Sequence, residues 1–348
     1  MTLFLNKNKF NFQKLTLIVF GLLFLGLLVF ALFIKCKYFH HKLPTKSIKI
    51  EDIKSVQIIN LDRAKDRRVK YEKMLHDNFG DTFIGRKIGN DIRLSAIEGK
   101  KEVIFENLTN GKKYKYNDIK DKEELFLKDR QFKIYSEKDP ENYWYFSFTK
   151  LKETSKEWNY KSIFNIFGCS LSHWKAIMRI AQQPQGTYGI IFEDDFFVEK
   201  DFYKKLQNTL SAVPNDFDVL KISLTQSQIF AGYKKLPLKK YIRFVKKSFH
   251  KYGYGSWLDL SIPKHPVGGL YVGTHGYIVS AEGARKIIKY TKKHFMKHTG
   301  CDNDVLYFLP KDKVIKSYIY LKEVPVLLSQ VASVSQLDNS PGYNTGQI

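Results

Sequence analysis

Cysteine is scarce and scattered in this chain. Its 348 residues hold three, Cys36, Cys169 and Cys301, at spacings that match no zinc pattern and build no disulfide framework. Glycine-rich phosphate loops are missing as well. No G-x-G-x-x-G follows the first strand pattern and no Walker A lysine loop is found, so dinucleotide and P-loop readings lose their support. No internal repeat and no sustained heptad stripe is present, which removes solenoids and coiled coils. Acids are in deficit, with 35 Asp and Glu against 58 Lys and Arg, a formal charge of +23. Residues 219–258 contain no acid at all. A surface of this sign favours nucleic acid, anionic head groups or phosphorylated substrates, and charge alone does not choose among them. No recognised nucleic-acid motif accompanies it, so no nucleic acid is expected as a partner.

Against these absences stands a hydrophobic content of 43% and an aromatic content of 15%. Both suit a chain with one large core or two smaller ones and exclude a disordered one. Residues 15–34, LTLIVFGLLFLGLLVFALFI, are uncharged. As a helix, twenty such residues span a bilayer core of ~30 Å. No small-x-small cleavage site follows, so an uncleaved N-terminal anchor is expected rather than a signal peptide. The flanking lysines lean slightly towards a cytosolic C-terminal domain. Cys36 beside the span is a possible acylation site or an unmodified thiol.

The expected organisation is a short flank at 1–14, a transmembrane anchor at 15–34 and a basic stem at 35–52. A catalytic domain over 53–335 and an irregular tail over 336–348 follow. Val56-Gln57-Ile58-Ile59-Asn60 reads as a first strand. Residues 63–79 read as a helix with Val69, Tyr71, Met74 and Leu75 inward and Asp62 as N-cap. A strand running into a helix opens an α/β nucleotide-binding fold. Residues 100–162 are charged and aromatic-rich and read as an insertion or lid rather than core. They include an Asn107-Leu108-Thr109 acceptor pattern for N-glycosylation. Residues 170–181 read as a helix. Its start places Ser170, Ser172, His173 and Lys175 where free backbone N–H groups favour anions. A capping serine and a surface lysine are the plainer account of the same residues.

The most informative stretch is Tyr188-Gly189-Ile190-Ile191-Phe192-Glu193-Asp194-Asp195. A short apolar run ends on three consecutive carboxylates. Ligands in open α/β sheets bind beyond the carboxyl ends of strands. Acids there repel one another unless a cation neutralises them, and Mg²⁺ or Mn²⁺ is the natural partner, one that also holds substrate phosphates. A strand followed by a solvated acidic turn is the alternative. Downstream, Gly273-Thr274-His275-Gly276-Tyr277 lies in a glycine-punctuated strand region, and Asp302 and Asp304 stand near the start of a further helix.

Taken in order, these pieces resemble glycosyltransferase family 25, which includes bacterial lipopolysaccharide and lipooligosaccharide galactosyltransferases and collagen galactosyltransferases. The resemblance rests on Ile59-Asn60-Leu61-Asp62-Arg63 with Asp66-Arg67-Arg68, on Arg93-Leu94-Ser95-Ala96-Ile97-Glu98-Gly99, and on Gly168-Cys169-Ser170-Leu171-Ser172-His173-Trp174-Lys175. Ile191-Phe192-Glu193-Asp194-Asp195, Gly273-Thr274-His275-Gly276-Tyr277, Gly283-Ala284 and Asp302-Asn303-Asp304 complete it. It covers roughly residues 53–335.

The resemblance implies a GT-A-like, Rossmann-type α/β domain behind the anchor. It also implies a UDP-sugar donor, typically UDP-galactose, transfer with inversion, and Mn²⁺ or Mg²⁺ at Glu193-Asp194-Asp195. The acceptor would be a glycan, a lipid-linked glycan or a protein. In that frame Asp195 with Glu193 contacts the metal, and His275 is a further ligand or a hydrogen-bonded structural histidine. Asp194 positions ribose or sugar, and Asn60 and Arg63 hold the nucleotide. Ser172, His173 and Lys175 support the diphosphate. Inversion needs a carboxylate to take the acceptor hydroxyl's proton, with Asp302 the first candidate and Asp304 the second. A basic membrane-tethered binding protein, or a silent scaffold on a transferase fold, is the competing reading.

Overall fold

The computed structural model describes residues 18–30, 44–79, 93–119, 131–147, 160–198, 201–222, 253–254, 257–260, 273–296, 304–320 and 328–330. Within the expected anchor, residues 18–30 are helical with every side chain exposed. No helix among the described residues is long and apolar enough to cross a membrane.

An eight-stranded mixed sheet forms the centre of an α/β fold. Its strands are β1 (Ile53–Asn60), β2 (Arg93–Ser95), β7 (Tyr188–Glu193), β8 (Val219–Lys221), β9 (Gly253–Tyr254), β10 (Trp257–Asp259), β11 (Gly276–Ser280) and β13 (Ser317–Tyr320). They lie in the order β9-β10-β13-β8-β11-β7-β1-β2. β1 runs parallel to β2 and β7, whereas β11 runs antiparallel to both β7 and β8. Successive side chains of a strand point to opposite faces, and the core divides accordingly. Ile58, Ile190 and Phe192 join one buried cluster, and Ile59 and Ile191 join the other. Each of the three buried side chains at the end of β7 is worth ~1.5–3 kcal/mol of transfer free energy.

The first face is covered by α1 (Lys65–Phe79) and α4 (Phe202–Leu210), through Tyr71, Leu75, Phe202, Leu206 and Leu210. Val69, expected inward on α1, is 67% exposed. Asp62 does not cap that helix but accepts hydrogen bonds from Arg93 and from Ser95. The second face is covered by α3 (Tyr160–Ala181) and α5 (Ala281–Thr291). Ser280 caps α5 by accepting from the Gly283 N–H.

Two sequence expectations change here. The helix expected at 170–181 begins ten residues earlier, so Ser172, His173 and Lys175 lie in its interior rather than at its start. The free N–H groups that would attract an anion at a helix start are therefore not beside them. Gly168 misleads the sequence reading because glycine normally ends helices. Here it lets α3 touch α2 (Gly99–Glu102): a Cβ on Gly168 would come 2.7 Å from the Gly99 Cα and from the Ile97 carbonyl oxygen. The second change concerns residues 100–162, read above as an insertion or lid rather than core. Their described part builds a five-stranded sheet ordered β12-β6-β5-β3-β4 from β3 (Val103–Asn107), β4 (Lys113–Tyr114), β5 (Gln131–Ser136) and β6 (Asp139–Ser147), joined by β12 (Phe295–Met296). Its inner face sets Phe105 against Phe164 and Phe167, and Trp144 against Trp174, so α3 is enclosed between two sheets. Asn107 is 2% exposed and its side-chain oxygen accepts from the Thr109 N–H, which takes the amide out of reach of glycosylation.

The chain joins the domain at the N-terminal end of β7. Thr45 and Lys46 pair with Pro214 and Val213, and Ile48 and Ile50, assigned above to the stem, are buried. The Lys46 ammonium stands 5.4 Å from the Tyr188 ring centre.

Candidate active site

The carboxyl ends of β1 and β7 meet at one cleft. Leu61, Arg63, Glu98, Cys169 and the acids Glu193, Asp194 and Asp195 are among its lining residues. β7 delivers the acids because its apolar run stops there: Phe192 is wholly buried, whereas the Glu193 side chain is 20% exposed and that of Asp195 12%.

The three acids have different partners. Asp194 turns to the first strand and helix. Asn60 Nδ2 donates to its Oδ2 at 2.7 Å, and Arg67 Nη1 donates to its Oδ1 at 2.9 Å. Burial still raises its pKa above the ordinary carboxylate value, those two hydrogen bonds opposing the shift and the neighbouring Asp195 charge adding to it. Asn60 is itself fixed by Arg93, whose Nε donates to Asn60 Oδ1 at 3.0 Å. Arg63 lies across the cleft at 3.3 Å from Glu98.

Glu193 and Asp195 turn the other way, to the loop before β11. His275 Nδ1 stands 3.3 Å from Glu193 Oε2 and 3.2 Å from Asp195 Oδ1. These three residues offer ligand atoms that all lie within 4.8 Å of one another. Burial disfavours a charged His275, but the Glu193 charge and hydrogen bonds to Asp195 and Glu193 outweigh it and raise the His275 pKa to about 10. Burial likewise works against an ionised Glu193, and the His275 charge with hydrogen bonds from His173 and His275 holds its pKa well below the usual value.

The sign of the resulting pH dependence follows. A histidine with a raised folded-state pKa contributes stability that is complete below its unfolded pKa near 6.5 and is lost as pH rises through about 10. Without added metal, the thermal midpoint of the wild type is expected to fall towards that of His275→Gln between those limits. Parallel midpoints across the range would show that the imidazolium stabilises nothing.

The other candidates fall elsewhere. Ser172 lines the cleft, but its hydroxyl is committed: it accepts from the Ile97 N–H at 2.8 Å and donates to the Gly168 carbonyl at 2.7 Å. His173 is fully buried behind Glu193. Lys175 lies further along α3, and the cleft described above does not include it. Asp302 is outside the described residues, and Asp304 opens a π-helix, Asp304–Phe308, without a described side chain. Most of the acid-free stretch at 219–258, the tail, Cys36 and Cys301 also lie outside them.

Sequence reasoning quoted Arg67, Glu98 and Thr274 within the motifs but gave none of them a role in the site. Arg67 left a signal, because a cation in the first turn of a helix opposes the helix dipole and so points to an acid nearby. Thr274 left none.

The family model described as glycosyltransferase family 25 (LPS biosynthesis protein) matches residues 53–303. That span contains both sheets apart from β13, and every described residue of the cleft. Among curated proteins none matches the chain.

Proposed function

Since the chain belongs to glycosyltransferase family 25 and is a glycosyltransferase, we propose that it is membrane-anchored, metal-dependent and inverting. It moves a hexose, galactose in the first instance, from a UDP-sugar to a glycan, glycolipid or glycoprotein acceptor. The observation that carries this reading is the convergence of Glu193 and Asp195, which line the cleft, with His275 behind them.

The donor set fits the ion. Two carboxylates and one imidazole suit Mn²⁺ better than Mg²⁺, which prefers oxygen alone. Glu193 Oε2, Asp195 Oδ1 and His275 Nδ1 are the atoms that face one another. A metal held there would take the place of a proton on His275 Nδ1. When bound, the ion would neutralise the negative charge that grows on the departing diphosphate.

The chain's own residues supply the rest. Asn60 and Arg67 fix Asp194 and so set the cleft wall between β1 and β7, where nucleotide and sugar would be oriented. Arg63 is half exposed and placed to meet a phosphate or the base. Proton removal from the acceptor hydroxyl falls to Asp302, or to Asp304 beside it. Asp302→Asn is expected to leave donor binding nearly intact and to slow turnover by ~10² or more. An equal loss at Asp304 with none at Asp302 moves the base. The apolar run at 15–34 holds the enzyme at the bilayer, with the catalytic domain in the cytosol of a bacterial cell or in the Golgi or ER lumen of a eukaryotic one.

The deciding experiment is donor hydrolysis by the full-length protein in detergent. UDP-galactose, UDP-glucose and their N-acetyl forms are offered with Mn²⁺ and then with chelator. Slow UDP release from one donor, abolished by chelator and restored by Mn²⁺, is expected. Release that chelator leaves untouched would remove the metal from the reading. A protein that neither releases nor binds UDP would be a scaffold on a transferase fold.

A further inference from the structure

Behind the acidic cluster lies a buried polar chain that touches no part of the cleft's open volume. His173, in the interior of α3, is 0% exposed. Its Nδ1 is 2.9 Å from the Tyr277 hydroxyl, and its Nε2 is 3.2 Å from Glu193 Oε1. The Thr274 hydroxyl donates to the same Glu193 oxygen and stands 3.3 Å from His173 Nε2. The His173 and Tyr277 rings lie nearly parallel, with centres 5.7 Å apart. A polar group sunk this deep costs free energy unless each donor meets an acceptor.

A consistent set of hydrogens joins these groups. Glu193 Oε1 accepts from Thr274, whose proton is thereby spent. His173 Nε2 faces that oxygen and so carries a hydrogen, and Nδ1 is left to accept from the Tyr277 hydroxyl. The order is Tyr277 O–H to His173 Nδ1, His173 Nε2–H to Glu193 Oε1, and Thr274 O–H to Glu193 Oε1. Both donors grip Oε1, so the other oxygen, Oε2, is the one turned to His275.

We infer that His173 is a positioning residue for Glu193. With Tyr277 behind it and Thr274 beside it, it locks the carboxylate in the rotamer that presents Oε2 to a divalent cation alongside Asp195 and His275. The inference rests on the metal reading given above and extends it to residues that do not themselves ligate. Partners that orient a metal-binding group typically contribute 10- to 100-fold in affinity. The strand register supplies the mechanical reason. β11 pairs with β7 so that Tyr277 lies opposite Ile191, and the Glu193 N–H donates to the His275 carbonyl. Glu193 stands at the end of that ladder and Thr274 and His275 lead directly into it, and α3 adds the imidazole from behind.

The test is Mn²⁺ titration calorimetry on the full-length protein in detergent, with no donor present, on wild type and on His173→Ala, His173→Gln and Tyr277→Phe. Thermal midpoints are recorded in parallel. Mn²⁺ affinity is expected to fall about 10- to 100-fold in His173→Ala and about 3- to 10-fold in Tyr277→Phe. His173→Gln, whose amide can still donate to Oε1, should recover part of the loss. Tyr277→Phe removes one hydroxyl and keeps the ring, so it reports even where His173→Ala does not fold. Unchanged Mn²⁺ affinity in a folded His173→Ala or in Tyr277→Phe, with only the thermal midpoint lowered, would make the chain a packing device and overturn the inference. A wild type that binds no Mn²⁺ overturns the metal reading and this role with it, a result distinct from the first.

Discussion

Asp195→Ala protein is expected to keep its fold and to lose transfer altogether. Asp195 lies in the turn just beyond β7 and lines the cleft, so alanine there opens onto the cleft rather than into the core. It removes one of the three groups that could hold a metal ion and one of the two carboxylates that face His275 Nδ1. A loss of at least ~10³ in turnover follows if the diphosphate leaves without that neutralising charge, an effect of about 4 kcal/mol on the barrier. Circular dichroism and the thermal midpoint check the fold, and UDP release checks the chemistry. A folded variant with wild-type turnover would sink the metal assignment. Asp194→Ala is the informative contrast, because its carboxylate is taken up by Asn60 and Arg67. Weakened donor binding with Mn²⁺ affinity retained is expected there.

Gly99→Ala is expected to cost the fold more than any other change at the cleft, which Gly99 also lines. A Cβ on Gly99 would overlap the Phe164 carbonyl, and one on Gly168 would press on Gly99 itself. Neither neighbour is a flexible side-chain end, so the backbone of α2 or α3 must move. Overpacking of this kind costs about 3 kcal/mol, or roughly 5 °C in midpoint for a domain of this size. Activity should suffer too. The segment through Ile97 is tied to α3 by the Ser172 hydroxyl, and it carries Glu98, the partner of Arg63 in the cleft. A thermal midpoint within a degree or two of wild type would mean that the two helices are not in fact so close.

The same contact explains what the sequence conceals. The acidic strand is legible because Ile190, Ile191 and Phe192 are apolar, short in run and followed at once by three acids. The first strand–helix unit is legible through its apolar run and the polar residues that end it. The early half of α3 is not. A glycine inside a helix costs ~1 kcal/mol and reads as a stop. Only the facing Gly99, distant in sequence, reveals that Gly168 serves a crossing.

The second sheet is hidden for a different reason. In Asn142-Tyr143-Trp144-Tyr145-Phe146 the inward residues are Asn142, Trp144 and Phe146, and the outward ones are tyrosines. Both faces are mostly aromatic, so polarity does not alternate and the period of two is invisible. Within the cleft, the acids announce themselves by their spacing. His173 instead reads as a diphosphate contact near a helix start, because its partners Tyr277 and Glu193 arrive from other strands.

The point where the chain joins the domain sets a reach. Ile53 pairs with Tyr188 at one end of the β1–β7 pair, and Ile59 pairs with Glu193 at the other. Thr45 and Lys46 are fastened beside the first end. Six residues of strand at ~3.3 Å each place about 20 Å of stiff sheet between tether and acids. Nothing in the sheet can shorten that offset. On the anchor proposed above, with the domain upright on a bilayer, sugars held close against the head groups would fall below the working height. The terminal residues of an already extended glycan would fall within it.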